Sequence, residues 1–162
     1  MTLLEHRGGG IILASFVAAY VFTIVPLPDT AALLRPEWVA MVLIYWCLAV
    51  PARVGVGVGW ASGLVLDVAR GTLLGQHALA LSLVAFVAVS LHQRVRVFPL
   101  WQQAGIVLLL VVLQQLLVVW VRGITGHAPD LWLYLLPALT SMVIWPWLFI
   151  LLRYTRRHFQ VK

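Results

Sequence analysis

Apolar and polar positions along this chain fall into long blocks. Six apolar stretches stand out, at residues 10–25, 36–50, 54–69, 73–91, 100–121 and 131–152. Short segments separate them, the longer ones at 26–35, 92–98 and 122–130. Barrel strands would alternate with period two over about ten residues, and none of these blocks does. Unbroken apolar runs predict helices. A helix that crosses the hydrocarbon core at right angles needs about 20 residues, with about 17–25 usable. The last three stretches meet that length. The second and third are short, which predicts ragged ends, a kink at Pro51 or burial inside a bundle. The expectation is an all-α polytopic membrane protein with six transmembrane helices in a single integral domain over residues 1–162. No soluble domain and no internal repeat are visible. Arg7 precedes the first stretch, but five more stretches follow and no convincing small-residue cleavage site appears. An uncleaved signal-anchor is therefore expected.

Composition sharpens this picture. The chain is 63% hydrophobic and 10% charged, with mean hydropathy +1.01. Soluble domains are about 45–50% apolar and about 25% charged. An ordinary soluble enzyme, a disordered tail and a fibrous repeat are excluded. The single Cys47 excludes a disulfide framework and a multi-cysteine metal site. The net charge of +6 reports topology. Six spans put both termini on one side, with Arg7, Arg53, Arg94, Arg96, Arg153, Arg156, Arg157 and Lys162. The other side holds Arg35, Arg70 and Arg122. The bias predicts both termini inside, in the cytoplasm. Of the acids, Glu5 falls inside, and Asp29, Glu37, Asp67 and Asp130 fall on or near the outer side. Trp38, Trp120 and Trp132 come near outer ends and Trp46, Trp101, Trp145 and Trp147 near inner ends, as an interfacial belt requires. Trp60 lies inside the third stretch and reads as a packing residue. The cytoplasmic basic residues Arg53, Arg94, Arg96, Arg153, Arg156 and Arg157 fit anionic-lipid contact. The basic segments are too short, and too closely tied to a membrane, for nucleic acid.

The strongest local pattern is in and after the third stretch. Gly55, Gly59, Gly63, Gly71 and Gly75 recur every fourth residue, with Asp67 in the missing slot. Residues four apart share a helix face, and small ones let two backbones approach closely. That face either packs the bundle internally or offers a groove to a partner helix. Asp67 is the acid placed deepest in an apolar stretch, where an ionised carboxylate needs a partner. Arg70 at i+3 is one candidate. Backbone N–H groups near Gly71, where the helix breaks, are another. His77 is a second member for any proton-coupling role. Gln114 and Gln115 lie deep in the fifth stretch and are expected to hydrogen-bond another helix, with a small-molecule site as the alternative. Arg35, Pro36, Glu37 and Trp38 read as an outer helix start, with Pro36 in the first turn, Glu37 at the positive helix end and Trp38 at the interface. No HExxH, GxSxG, acid pair or Cys/His constellation is present, so no catalytic, metal or cofactor residues are assigned.

The ensemble resembles MreD, the small integral-membrane family of the bacterial rod-shape machinery, in its Gram-negative form. The resemblance rests on Arg35-Pro36-Glu37-Trp38, Tyr45-Trp46, and Ala49-Val50-Pro51-Ala52-Arg53-Val54-Gly55-Val56-Gly57. It continues through Gly63-Leu64-Val65-Leu66-Asp67, Gly71-Thr72-Leu73-Leu74-Gly75, Leu100-Trp101-Gln102-Gln103 and Trp145-Pro146-Trp147. It implies a bundle like the S-components of vitamin transporters, in the bacterial inner membrane, with no enzymatic activity. It implies MreC, which has a single span, as partner. It further implies RodA with its transpeptidase, and contact with MreB filaments. A second copy of the chain is a further candidate partner. The function so implied is a non-enzymatic scaffold of cell elongation that maintains rod shape. The alternative is a membrane protein that binds or transports a small solute, favoured by Asp67, His77, Gln114 and Gln115 beside short, interrupted spans.

Overall fold

A computed structural model describes residues 9–26, 28, 34–71, 74–126 and 130–158. Glu5, Arg7, Asp29, Lys162, Thr72 and Leu73 lie outside the described residues. The described residues form six helices and no strand: α1 (Gly9–Ile24), α2 (Trp38–Ala49), α3 (Val56–Arg70), α4 (Gln76–Arg96), α5 (Leu100–Ile124) and α6 (Leu131–His158). Each coincides with one apolar stretch. α4, α5 and α6 are long and apolar enough to cross a membrane. α1 and α2 are apolar but shorter. α2 has 12 residues, about 18 Å at 1.5 Å per residue.

The short second stretch is buried. Ten consecutive residues, Val39 to Leu48, are inaccessible on every face of α2. A helix that is apolar all round has no side to give to water, and it takes the centre of a core. α4 packs against α2, α3 and α5, α6 lies along α5, and α1 lies mainly on α2. The turn at Pro51–Arg53 is tight, with Arg53 N–H donating to the Val50 carbonyl at 3.0 Å.

The glycine pattern divides by function. A Cβ at Gly63 would lie 2.4 Å from Ala78 Cα, and one at Gly59 would lie 2.7 Å from the Leu81 carbonyl oxygen. These two glycines seat α3 directly on the backbone of α4. Gly55 has only Val89 at 4.0 Å. Gly71 and Gly75 have positive φ, 66° and 98°, and they shape the turn between α3 and α4. Gly71 closes α3, its N–H reaching the carbonyls of Asp67 and Val68.

Three tryptophans depart from expectation: Trp46 and Trp145 from the interfacial belt, and Trp60 from a packing role. Trp46 and Trp145 are fully buried. The Trp46 indole N–H donates to Ser15 Oγ at 2.8 Å, and that of Trp145 to Gln103 Oε1 at 3.4 Å. Tyr45, Trp46, Trp145 and Phe149 form an aromatic cluster joining α2 to α6. Trp60 is 54% exposed, so it faces outward. Position near a helix end does not say which way a ring points. The neighbours of α2 and α6 decide it. Trp101, Trp120, Trp132 and Trp147 are exposed as an interfacial belt requires.

Candidate functional site

Polar groups inside this bundle gather at the end where α3 stops and α2 and α4 begin. Asp67, in the last turn of α3, is fully buried. Its Oδ2 accepts from the Gly75 N–H at 2.9 Å and the Ala78 N–H at 3.4 Å. Its Oδ1 accepts from the His77 N–H at 2.9 Å. The first N–H groups of a helix have no intrahelical partner, and Gly75 at the N-cap has no side chain to supply one. Asp67 performs that task from the preceding helix, with its charge at the positive end of α4. The expected backbone cap therefore exists, with Gly75, His77 and Ala78 among its donors.

His77 extends the cluster. Its Nε2 lies 3.3 Å from Arg70 Nη1. A guanidinium only donates, so Nε2 accepts and the ring proton resides on Nδ1. Nδ1 donates to Asp67 Oδ1 at 2.7 Å. The imidazole is held neutral, in one tautomer, between an anion and a cation. The other side of Arg70 faces Glu37 Oε2 at 3.6 Å. Glu37 is buried, and its N–H donates to Ser141 Oγ at 3.0 Å. Four helices are thus tied together through Asp67, His77, Arg70, Glu37 and Ser141. The helix start at Arg35–Trp38 differs in detail from expectation. Glu37 is the N-cap of α2, and Pro36 stands before it rather than in the first turn. The Glu37 carboxylate turns to Arg70 and makes no cap hydrogen bond of its own. Arg35 donates through both Nη atoms to the carbonyls of Thr23 and Val25, closing the end of α1.

Gln114 and Gln115 are both buried, but not as the interhelical pair expected of them. Gln114 Oε1 and both amide atoms of Gln115 have no hydrogen-bond partner among the described residues. The polar link that does form from α5 is at Gln103, of the other polar pair in that stretch, Gln102-Gln103, for which interhelical bonding is likewise expected; its Oε1 accepts from Trp145 on α6. Gln103 Nε2 donates to the carbonyls of Val95 and Phe98, bracing the turn between α4 and α5. The signal for this brace was its place just inside a helix start, after Pro99. A cavity of about 290 Å³ opens at the Glu37 end, beside Arg35, Glu37, Arg70, Gln115, Arg122 and Tyr134.

The opposite end differs. It carries Arg53, Arg94, Arg96, Arg153, Arg156 and Arg157 and, among the described residues, no acid. Arg96 caps the end of α2, donating to the Leu48 carbonyl at 2.7 Å and the Ala49 carbonyl at 2.6 Å. Arg153, Arg156 and Arg157 ring an opening of about 520 Å³ walled by Tyr45, Leu48 and Phe149. Among the described residues, no three of His, Cys, Asp and Glu come together as metal ligands would. The Ser62 hydroxyl is engaged with the Gly59 carbonyl at 3.0 Å. The buried cluster holds α2, α3, α4 and α6 together.

Comparison with known proteins gives this architecture a context. The family model described as rod shape-determining protein MreD matches residues 7–155. The chain is 37% identical over 146 residues to the rod shape-determining protein MreD of Haemophilus influenzae, covering 90% of each chain. No solved structure matches. The residues that carried the resemblance fall inside the matched region, from the helix start at Arg35 to Trp147. The chain belongs to the MreD family of rod shape-determining proteins.

Proposed function

We propose that this protein is a non-enzymatic scaffold of the cell-elongation machinery in the bacterial inner membrane. In this reading it crosses the membrane six times with both termini in the cytoplasm. It binds the single span of MreC, and with RodA and its transpeptidase helps couple MreB filaments to peptidoglycan synthesis. Membership of a cell-shape family over nearly the whole chain carries the reading. The charge distribution supports the orientation: one end holds six arginines, while the other balances three arginines against Glu37, Asp67 and Asp130 among the described residues.

The packing supports one face of the bundle as the seat of a partner helix. Gly59 and Gly63 already hold α4, so that face is occupied within the chain. α1 presents a second stripe of small residues, Gly10, Ala14 and Ala18, and all three are exposed. Leu13, Val17 and Val21 flank it and are exposed too. Small residues four apart allow close helix approach in lipid, where apolar burial gives no drive between helices. MreC's span is assigned to this stripe. A partner seated there would bias the synthesis machinery by binding one arrangement better than another.

Co-purification tests the assignment. Ala14→Leu is expected to lower MreC recovery about tenfold, equivalent to about 1.4 kcal/mol, with normal insertion. Leu109→Ala, on the exposed face of α5, is expected to leave recovery unchanged. Full MreC recovery with Ala14→Leu, in cells that keep their rod shape, would remove α1 as the docking face.

A further inference from the structure

The arginines Arg35, Arg70 and Arg122 come from three separate parts of the chain. They precede α2, end α3 and lie in the last turn of α5. The positive-inside bias that places the other arginines does not account for them. In the folded protein all three converge on the 290 Å³ cavity at the Glu37 end. Glu37 is the acid on its wall, and Asp67 stands behind it, joined to Arg70 through His77, so three guanidiniums meet two carboxylates there.

The existing engagements leave capacity facing inward. Arg35 holds the end of α1 through its Nη atoms, and its buried Nε has no partner among the described residues. Arg122 sits over the Tyr134 ring, 5.3 Å from its centroid. Gln115 is 1% exposed and lines the cavity, and neither its amide oxygen nor its amide nitrogen has a hydrogen-bond partner among the described residues. A buried donor and acceptor, beside excess guanidinium, are the chemistry of a site for a small anion that carries further polar groups.

We propose that this cavity binds a phosphoryl group. Guanidiniums arriving from three elements suit tetrahedral oxygens, which accept from several directions, better than a planar carboxylate, which one guanidinium engages in a fork. The surplus guanidinium suits a phosphoryl group, whose oxygens carry the negative charge. The volume lies at the lower limit of small-ligand pockets, about 300 Å³. That admits one phosphoryl group with its immediate substituents. Its source is an anionic lipid headgroup or free phosphate. The site is distinct from the α1 stripe and does not depend on MreC.

The test uses full-length protein purified in detergent and reconstituted into nanodiscs of phosphatidylcholine, with or without phosphatidylglycerol. Sodium phosphate is titrated separately. Thermal unfolding and native mass spectrometry read binding. Wild type is expected to gain thermal stability from at least one of the two probes. Arg122→Gln and Gln115→Leu are each expected to weaken that response about tenfold. Leu109→Ala, on the exposed face of α5 and away from the cavity, is expected to respond as wild type does. A response to phosphatidylglycerol alone assigns a lipid headgroup, and one to phosphate alone assigns the free anion. Both support the proposal. Gln115→Leu removes a buried amide without touching a charge, so it stays informative if Arg122→Gln does not fold. If neither probe shifts wild type, or if Gln115→Leu responds like wild type, the cavity is a hydrated void and the proposal fails. If glutarate shifts the protein and phosphate and phosphatidylglycerol do not, the site serves a carboxylate, as from an acidic protein segment, and the proposal also fails.

Discussion

The two ends of this bundle carry arginine in opposite ways. At the Glu37 end, Arg70 lies between a buried carboxylate and a neutral imidazole, and Asp67 holds the first turn of the next helix. At the other end Arg153, Arg156 and Arg157 border a wide opening, and among the described residues no acid lies near them. Charge at the first end holds helices together. At the second end Arg96 caps α2, while Arg153, Arg156 and Arg157 border open space. The same side chain therefore has very different worth in the two places, and substitution is expected to show it.

The largest effect is expected from Asp67→Ala. It leaves the N–H groups at Gly75, His77 and Ala78 without their acceptor and removes the anion beside Arg70. Breaking a buried charged network in this way costs about 3–5 kcal/mol. Little monodisperse protein should survive detergent extraction, as read by size-exclusion chromatography. Gly63→Ala comes next. Its new Cβ would meet the Ala78 backbone at 2.4 Å, and overpacking of this kind costs about 1–3 kcal/mol. Gly57 lies in the same helix with nothing within 4 Å of an added Cβ. Gly57→Ala should therefore stabilise by about 0.8 kcal/mol through helix propensity. Thermal unfolding of the pair separates a close approach from mere glycine content. If both alanines behave alike, α3 does not rest on α4 through Gly63. The smallest effect is expected from Arg157→Gln, within about 0.5 kcal/mol of wild type by the same melting assay. A large loss there would erase the contrast between the ends.

Much of the fold was legible in the sequence, because lipid imposes a simple rule. Apolar runs long enough to span must be helices, and the six stretches match the six described helices closely. α2 was also readable as an interior helix, since it is short and offers no polar face. What the sequence hides is which neighbour each face meets. Trp46 and Trp60 show this best. Both sit in short spans, yet one ring is buried, with its N–H on Ser15 of α1, while the other faces outward. Nothing local to either residue encodes that order. The Asp67 site was half visible. Its need for backbone donors near a glycine turn followed from burial cost, but its pairing with His77 depends on how α4 turns back on α3. Gln115 and the three converging arginines were separately visible as polar residues. Only the arrangement of α2, α3, α5 and α6 brings them to one cavity.

The most direct test of the account is photo-crosslinking in living cells from a probe placed at Val17 on α1, against the same probe at Leu109 on α5. A covalent adduct with the MreC span is expected from position 17 and none from position 109, in cells that remain rods. An adduct from position 109 with none from position 17 would contradict it.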